Sequence, residues 1–404
     1  MDRGREKVTL PRERVMIMFK EQKIPQKILI VNPFGIGDVL LTIPLINQLK
    51  RYFPDAFIGY LANKRTACIV ENNPKINKVF VYERDDFLVI YQQSKWQFFQ
   101  KWVDLTMNIK SCRFDLAIDL SMNASINFML WRTGIKERIG FNYKNRSPFL
   151  TKKIPFHNGY EGKHVADYYL SVLKEIGLTP MKSPLELTIP LEDQQWADKL
   201  LEEHGLDPQV GPIGLIPAGG ASWGKDALYK RWAPKKFAQL ADKIIEKFNA
   251  KVILLGNQNE QGVCSLVHQM TQNRCRNLCG RTTILQLAAL LKRCRLCVVN
   301  DGGPLHVAVA VGTPTVSIFG PVDEKVYGPY LDNGHRVVTK DIACRPCYRN
   351  FRRAQCEHLS CLNLIEVEDV LREVEEGLQN TGYRTQGTRH GTQDTRQEQL
   401  TPDT

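Results

Sequence analysis

The 404-residue sequence predicts an α/β protein built in two halves. Short apolar runs, which are typical of buried strands, alternate with segments that carry apolar residues at helical spacing. Such alternation favours parallel sheets that are covered by helices on both faces. The pattern stops at 181–190, where Pro184 and Pro190 indicate an interdomain linker, and then starts again.

The first half opens with an apolar run at 27–32 that ends at Pro33 and Gly35, and we interpret this run as a buried strand. Helical spacing over 39–52 predicts a helix directly after the turn. By the same criteria, further strands are predicted at 56–61, 78–82 and 116–120, and further helices at 65–72, 95–110, 124–133 and 163–176.

The second half repeats this pattern. Strands are predicted at 213–217, 251–256, 296–300 and 315–319, and helices at 235–248, 260–271, 283–292 and 305–311. The last residues are polar and nearly free of apolar side chains, so we expect a disordered tail. The predicted organisation is a basic extension at 1–25, an N-terminal domain at 26–185, a C-terminal domain at 186–379 and the tail at 380–404.

The net charge of +12 points to an anionic partner. Nucleic acid is not expected, because the basic residues are scattered and no basic repeat is interleaved with aromatic residues. The sequence shows no signal peptide and no uninterrupted apolar run of about 18 residues, and its eleven cysteines are spread along the chain. We therefore expect a cytoplasmic protein with free thiols, and peripheral contact with a membrane surface stays open.

Residues 298–306 combine a buried-strand pattern with an acid and two glycines at the end of the strand. Pro304 then suits the first turn of a helix. Gly302 and Gly303 let the backbone approach a ligand closely, and a helix N-terminus favours an anionic group such as a diphosphate. Strands that end in tight turns also occur in α/β proteins without a site, so both interpretations stand.

The turn at 32–38 carries Gly35, Gly37 and Asp38. It begins like a dinucleotide fingerprint, but Leu40 replaces the third glycine, which argues against a nicotinamide cofactor. Asp38 is either a helix N-cap or a general base that faces the interdomain cleft. The helix dipole is expected to keep its carboxylate ionised.

The loop at 217–232 starts with small residues and then carries Lys225, Lys230 and Arg231. Small residues expose backbone N–H groups, and a nearby cation can neutralise a departing phosphate. The spacing is not that of a P-loop, and each of the three cations is equally compatible with a solvated surface charge.

Two further groups are open to interpretation. Glu260 follows another strand end, where it would either hold ribose hydroxyls or favour the first turn of a helix. Cys344, Cys347, Cys356 and Cys361 are paired as in zinc sites, but the gap between the pairs is shorter than usual. Free thiols in a C-terminal loop fit this pattern at least as well, so no metal site is predicted.

Four motifs together resemble glycosyltransferase family 9, the ADP-heptose:lipopolysaccharide heptosyltransferases. They are Gly-Asp at 37–38, Lys-Arg-Trp-Ala-Pro at 230–234, Asn-Asp-Gly-Gly-Pro-Leu-His at 300–306 and Cys-x-Pro-Cys at 344–347. The resemblance spans 26–376. It implies the GT-B architecture, in which two Rossmann-like domains face each other across a cleft, with the acceptor on the N-terminal domain and the nucleotide sugar on the C-terminal domain.

The resemblance also implies roles for single residues. Asp38 matches the catalytic base, and Lys230 matches the lysine that binds the phosphate, with Arg231 as its competitor. Gly302 stands where family members often carry Thr, so a hydroxyl that bonds a phosphate is missing. The implied donor-binding residues are Ser222, Lys230, Arg231, Glu260, Asp301, Gly302, Gly303 and His306. The implied acceptor-binding residues are Gly37, Lys64 and Arg138, of which the two cations also fit solvated surface charges.

The implied reaction is the inverting transfer of a heptose from ADP-heptose to an anionic, lipid-linked inner-core acceptor. The sequence contains no Asp-x-Asp metal motif, so no cofactor or metal ion is expected. Three alternatives stay open at this point: a glycosyltransferase that uses another nucleotide sugar, a nucleotide-sugar epimerase of similar architecture, and a non-catalytic protein that binds nucleotides or anionic glycans.

Overall fold

The computed structural model describes residues 24–331 and 334–380, in which two parallel six-stranded sheets are found. The strands of the first sheet are β1 (Lys27–Val31), β2 (Phe57–Ala62), β3 (Lys78–Val81), β4 (Leu116–Asp119), β5 (Glu137–Tyr143) and β6 (Lys152–Phe156). They lie in the order β3-β2-β1-β4-β5-β6, and every neighbouring pair is parallel.

Helices cover both faces of this sheet. They are α1 (Ile36–Leu40), α2 (Ile43–Tyr52), α3 (Ala67–Glu71), α4 (Arg84–Gln93), α5 (Lys95–Ser111), α6 (Ala124–Arg132) and α7 (Val165–Ser171), which continues into a 3₁₀ turn at Val172–Ile176. Alternate residues of β1 enter different hydrophobic clusters: Ile28 and Ile30 pack with α1, α2 and α7, whereas Leu29 and Val31 pack with α5 and α6. A strand buried on both faces requires a continuous apolar run, and the sequence of β1 supplies one.

The second sheet repeats the topology of the first. Its strands are β7 (Ile213–Ile216), β8 (Val252–Leu254), β9 (Arg276–Asn277), β10 (Leu296–Asn300), β11 (Thr315–Ile318) and β12 (Arg336–Val338). Their order is β12-β11-β10-β7-β8-β9. Renumbered within each half, both sheets have the Rossmann order 3-2-1-4-5-6, in which ligands bind where the strand order reverses.

Eight helices accompany this sheet in the described part of the chain. They are α8 (Leu191–Glu203), α9 (Pro234–Phe248), α10 (Gln261–Met270), α11 (Ile284–Arg293), α12 (Gly303–Ala310), α13 (Glu324–Tyr327), α14 (Ser360–Asn363) and α15 (Val367–Asn380). Two 3₁₀ turns lie at Ala221–Lys230 and Gln258–Glu260, and a short hairpin is formed by β13 (Tyr348–Arg349) and β14 (Arg352–Arg353). None of the described helices is long and apolar enough to cross a membrane.

The predicted helix at 39–52 is wrong in one respect, because the structure breaks it into α1 and α2. Pro44 lies in the first turn of α2, where a backbone N–H has no partner within the helix and is not needed. Because proline has no N–H to donate to the preceding turn, α1 cannot continue through it. Thr42 lies between the two helices. Its hydroxyl donates a hydrogen bond to the carbonyl of Val39 and forms a second hydrogen bond with the hydroxyl of Tyr60.

The two halves are joined by residues 178–190, which contain no helix or strand and include the predicted linker. A single hydrophobic cluster nevertheless spans both halves, since it includes residues of α1 and α2 as well as α11 and α12. Within the second half, Arg293 of α11 forms a two-pronged ion pair with Asp198 of α8, at 2.5 and 2.7 Å. The predicted extension at 1–25 and the predicted tail at 380–404 lie almost entirely outside the described residues.

Candidate functional site

The site is built where the two strand-turn-helix units, β1–α1 and β10–α12, meet. A β-carbon added to Gly37 of α1 would lie 2.7 Å from Cδ2 of His306 in α12. In the opposite direction, a β-carbon on Gly303 would lie 3.1 Å from Cβ of Ile36. This close approach therefore requires glycine at position 37 and leaves little room for a side chain at position 303, and it brings the two candidate motifs of the sequence together.

Asp38 is the third residue of α1 rather than its N-cap. Its Oδ2 accepts a hydrogen bond of 3.2 Å from the backbone N–H of Gly35, the residue that does occupy the N-cap. The surrounding protein removes most of the hydration of this half-buried carboxylate and raises its pKa to about 6, while the Gly35 hydrogen bond and the charge of Lys230 oppose the rise. With a pKa of about 6, Asp38 is still mostly ionised at pH 7, but it is a stronger base than an ordinary aspartate.

Asp301, which lies in the turn between β10 and α12, forms a buried ion pair with Lys230. Lys230 Nζ lies 2.7 Å from Asp301 Oδ2, and both side chains are at least nine-tenths buried. The ammonium also lies 4.3 Å from the ring centre of Trp223, in cation–π geometry. An ammonium has three N–H donors, so Lys230 can keep Asp301 and still donate to a phosphate oxygen.

Asn300 fixes the loops around this pair. Its side-chain amide donates to the carbonyls of Pro217 and Ala218 at 3.1 and 2.9 Å, and its Oδ1 accepts from the backbone N–H of Trp232 at 3.0 Å. The indole of Trp232 is buried and donates to the carbonyl of Ile365. Asn300 thus ties the end of β10 to the end of β7 and to the segment that carries Lys230.

Glu260 and Arg231 hold the glycine loop after β7 from two sides. Glu260 Oε1 accepts from the N–H of Gly219 at 2.8 Å, and Oε2 accepts from the N–H of Asn257 at 2.9 Å. Arg231 Nε donates to the carbonyl of Gly219 at 2.9 Å. Gly219 itself has φ of +101°, which favours glycine. Both charged side chains therefore shape the loop, and Lys230 is the cation that is aimed at Asp301.

Gly302 lies at the closest approach of the two loops of the second half. A β-carbon at this position would lie 3.0 Å from the backbone nitrogen of Gly220. The glycine that stands in place of the family's Thr therefore allows the turns after β7 and β10 to touch. The side chain of Ser222, another predicted donor-binding residue, lies outside the described residues.

His306 lies behind these loops, on α12. It is 5% exposed, and burial, together with the charges of His164 and Lys230, lowers its pKa to about 3, so that its ring is neutral near pH 7. Its Nδ1 is buried and has no hydrogen-bond partner in the described part of the chain. Because buried polar atoms are nearly always bonded, this nitrogen is suited to a ligand.

The sequence analysis did not identify the aromatic wall of the site. Trp223 packs on Tyr348 with ring centres 4.8 Å apart, and Tyr327 adds an edge contact to Tyr348 at 5.9 Å. Burial raises the pKa of Tyr348 to about 12, and the charges of Asp38 and Asp301 contribute to that rise. Both acids therefore act on the same aromatic surface, although these residues come from three separate segments.

A family model described as glycosyltransferase family 9 (heptosyltransferase) matches residues 102–358. The chain belongs to glycosyltransferase family 9. It is a glycosyltransferase of α/β fold with the GT-B architecture, as the sequence motifs predicted.

Proteins of known name are similar to this glycosyltransferase over most of its length. Lipopolysaccharide heptosyltransferase 3 of Escherichia coli strain K12 is 24% identical over 343 residues, which are 84% of this chain and 94% of the relative. A family 9 glycosyltransferase from Veillonella parvula superposes with a TM-score of 0.74 at 24% identity and covers 88% of this chain and 98% of its own. ADP-heptose lps heptosyltransferase II of Escherichia coli superposes with a TM-score of 0.69 at 21% identity, over 88% and 100%.

The three predicted acceptor residues of this glycosyltransferase are in different places. Gly37 lies at the centre of the α1–α12 contact, and Lys64 is exposed after β2, at the sheet edge that also carries Asp38. Arg138 lies near the start of β5, at the opposite edge of the sheet. Its guanidinium donates to the carbonyls of Phe149 and Ile135. The structure thus does not bring Arg138 to the site.

The four late cysteines of the family 9 chain line one cavity, together with His358. All four are free thiols. Within the described residues, no group of three or more His, Cys, Asp or Glu side chains is arranged to hold a metal ion.

Proposed function

We propose that this glycosyltransferase transfers a heptose from ADP-heptose to an inner-core lipopolysaccharide acceptor, with inversion at the anomeric carbon. The donor and acceptor classes come from the names of similar proteins, lipopolysaccharide heptosyltransferase 3 and ADP-heptose lps heptosyltransferase II. The observation that carries the proposal is the buried Lys230–Asp301 pair, whose cation also acts on the protonatable Asp38.

The donor diphosphate is placed against Lys230 and the start of α12. Lys230 supplies a full positive charge, and the helix N-terminus at Gly303 adds backbone N–H groups and the positive end of the helix dipole. Asp301 then faces the sugar hydroxyls. Neutral His306 is placed to donate or accept one hydrogen bond at the ligand rather than to carry charge.

Asp38 acts as the general base. The acceptor hydroxyl attacks the anomeric carbon from the face opposite ADP, the bond to the diphosphate breaks, and Asp38 takes the hydroxyl proton. A carboxylate with a pKa of about 6 is ionised for most of the time at neutral pH and accepts a proton more readily than an exposed aspartate. Lys230 and α12 stabilise the charge that develops on the leaving group, so no divalent ion is needed in this scheme.

The two halves divide the substrates. We assign residues 26–185 to acceptor binding, with Gly37 and Lys64 at the acceptor, and residues 186–379 to the nucleotide sugar. Glu260 and Arg231 serve mainly as supports of the glycine loop, since both oxygens of Glu260 already accept backbone hydrogen bonds. We place the enzyme on the cytoplasmic face of the inner membrane, where a lipid-linked acceptor is reached.

The test is turnover of ADP-heptose with and without a deacylated inner-core acceptor. Release of ADP that depends on the acceptor, together with a product one heptose heavier, is the expected result. Conversion of the donor without acceptor would indicate the epimerase instead. Binding of the donor without any turnover would indicate a non-catalytic protein. Turnover of a different nucleotide sugar, but not of ADP-heptose, would reject heptose as the transferred sugar.

A further inference from the structure

We propose that the outer surface of α5 and α6 docks on an anionic phospholipid bilayer. We call it the α5–α6 face; it consists of Trp96, Phe99, Val103, Met107, Phe128 and Trp131. Trp96 is 66% exposed, Phe99 53% and Trp131 46%, although side chains of this type are usually buried. The proposal depends on this surface and not on the donor chemistry.

The apolar residues of α5 form a second stripe, distinct from the one that faces the core. Phe98, Leu105 and Ile109 point toward the sheet and the neighbouring α4. Trp96, Phe99, Val103 and Met107 recur at helical spacing on a different side, about 145° around the helix at 100° per residue. A helix that packs only on its own domain needs one apolar stripe, so the second stripe is left for a partner.

This second stripe borders α6 rather than α4. Trp102, which lies between the two stripes, stacks on Phe128 of α6 with ring centres 5.8 Å apart. Phe128 in turn contacts Trp131 at 5.7 Å, and Trp131 contacts Phe149 at 5.6 Å. The exposed residues of the two helices therefore form one continuous aromatic surface.

The charges around this surface favour an anionic bilayer over a protein partner. Exposed basic residues adjoin it and include Lys95, Lys110, Arg132 and Lys136. The acidic residues of the same segments do not lie on the α5–α6 face. Asp104 lies on the α4 side of α5, and Glu137 pairs with Lys152 on the other face of the sheet. Lysine is depleted in the cores of protein interfaces, whereas tryptophan with lysine or arginine is typical of membrane interfaces.

The location also fits the use of a lipid-linked acceptor. The α5–α6 face belongs to the half that we assign to the acceptor, and α5 begins at the sheet edge that carries Asp38. Docking there holds the acceptor half against the lipid surface while the donor half stays in solution.

The experiment measures binding of the full chain to vesicles of phosphatidylcholine alone or of phosphatidylcholine mixed with phosphatidylglycerol. The double variant Trp96→Gln/Phe99→Gln is expected to bind the mixed vesicles at least about tenfold more weakly, because two large apolar side chains no longer enter the interface. The matched control is Leu88→Gln/Tyr91→Gln on the α4 side, where exposure is similar at 47% and 48%; its binding should be unchanged.

A second readout locates the contact. Quenching of tryptophan fluorescence by brominated phosphatidylglycerol should fall in Trp96→Phe, which keeps the apolar side chain and hence the binding. Thermal melting and turnover of the soluble, deacylated acceptor should be unchanged in all three variants, which excludes misfolding. Equal binding of the two double variants, or no binding by the wild type, would overturn the proposal. The proposal would also be overturned if sedimentation velocity without vesicles showed that the wild type is a dimer and that, of the variants, only Trp96→Gln/Phe99→Gln dissociates it.

Discussion

Asp38 and Asp301 occupy comparable places in the two halves of the molecule but have different electrostatic partners. Each lies in the turn or first helical residues after a strand at the point where its sheet reverses order. Asp301 is paired with Lys230 at 2.7 Å. Asp38 accepts one backbone hydrogen bond from Gly35, and no ion pair of its carboxylate occurs among the described residues.

The difference shows that the partner of a strand-end acid, rather than its place in the fold, decides its chemistry. A carboxylate that is matched by a cation stays charged and serves to bind. A carboxylate that loses water without a cation in direct contact has a raised pKa and can take up a proton. One fold, repeated twice, thereby supplies a ligand-binding acid in one half and a base in the other.

The largest expected effect comes from removing the base. Asp38→Asn keeps an oxygen that can accept from Gly35 but cannot take up a proton, so kcat should fall by about 10²–10⁴-fold. Steady-state kinetics measures this loss, and calorimetric titration with ADP should give nearly the wild-type Kd. A collapse of ADP binding in the variant would mean that Asp38 shapes the donor site, and the contrast with Asp301 would be lost.

The ion pair should respond differently, through binding and stability. Lys230→Met leaves Asp301 buried without its cation, which is expected to lower the free energy of unfolding by about 3–5 kcal/mol. The Kd for ADP should rise by about 10–100-fold, because a charged hydrogen bond to phosphate is lost. Denaturant unfolding and calorimetric titration measure the two effects.

The double variant Lys230→Met/Asp301→Asn separates structure from function. It removes the unpaired buried charge, so most of the stability should return while ADP binding stays weak. Recovery of ADP binding in the double variant would show that Lys230 only neutralises Asp301.

Arg231→Ala is the companion change. It should loosen the Gly219 loop with a smaller loss of affinity for ADP than Lys230→Met, since Arg231 donates to a backbone carbonyl.

The sequence predicted the strand-end motifs because their signals are local. The strand at 296–300 was placed correctly to the residue, since an uninterrupted apolar run ends there in Asn-Asp-Gly-Gly. The edge strand β6 carries no such signal: it reads Lys-Lys-Ile-Pro-Phe and was not predicted. A proline and two lysines are tolerated there because one side of an edge strand has no neighbour to bond. The neighbouring strand β5 was missed as well.

The parts of the site that were missed are those that depend on tertiary contact. Tyr348 reaches the cleft from the β13–β14 hairpin, and no pattern near residue 348 connects it to Trp223. Arg138 was predicted to bind the acceptor because it is basic. It is the second residue of β5, however, and the start of β5 lies at the sheet edge opposite to the one that carries Asp38. The pKa of Asp38 likewise depends on burial by distant residues, whereas the sequence showed only a helix start.

A smaller effect is expected from widening the contact between α1 and α12. Gly37→Ala places a β-carbon 2.7 Å from the ring of buried His306, so the free energy of unfolding should fall by about 1–3 kcal/mol. The control is Gly262→Ala at the second position of α10, where nothing lies within 4 Å and alanine should stabilise by about 0.5–1 kcal/mol. Thermal unfolding of both variants decides the matter: equal shifts would show that the two halves do not meet tightly at Gly37.

The pH dependence is the finest test of the role of Asp38, because burial raises the pKa of its carboxyl to about 6. As the pH falls below about 6 the base is protonated, so kcat/KM should drop about tenfold per pH unit, and Asp38→Asn should lack this pH dependence.

The free energy of unfolding should respond to pH in the opposite direction. A pKa raised from 3.8 favours the folded state below pH 3.8, and this contribution is lost as the pH rises through about 6. Asp38→Asn should therefore be more stable than the wild type at pH 7, by about 1–2 kcal/mol after allowance for its partial exposure, and should lose that advantage at pH 4. Chemical unfolding at the two pH values measures the difference, and a wild type that is equally or more stable at pH 7 would show that Asp38 is stabilised as a charged group, like Asp301.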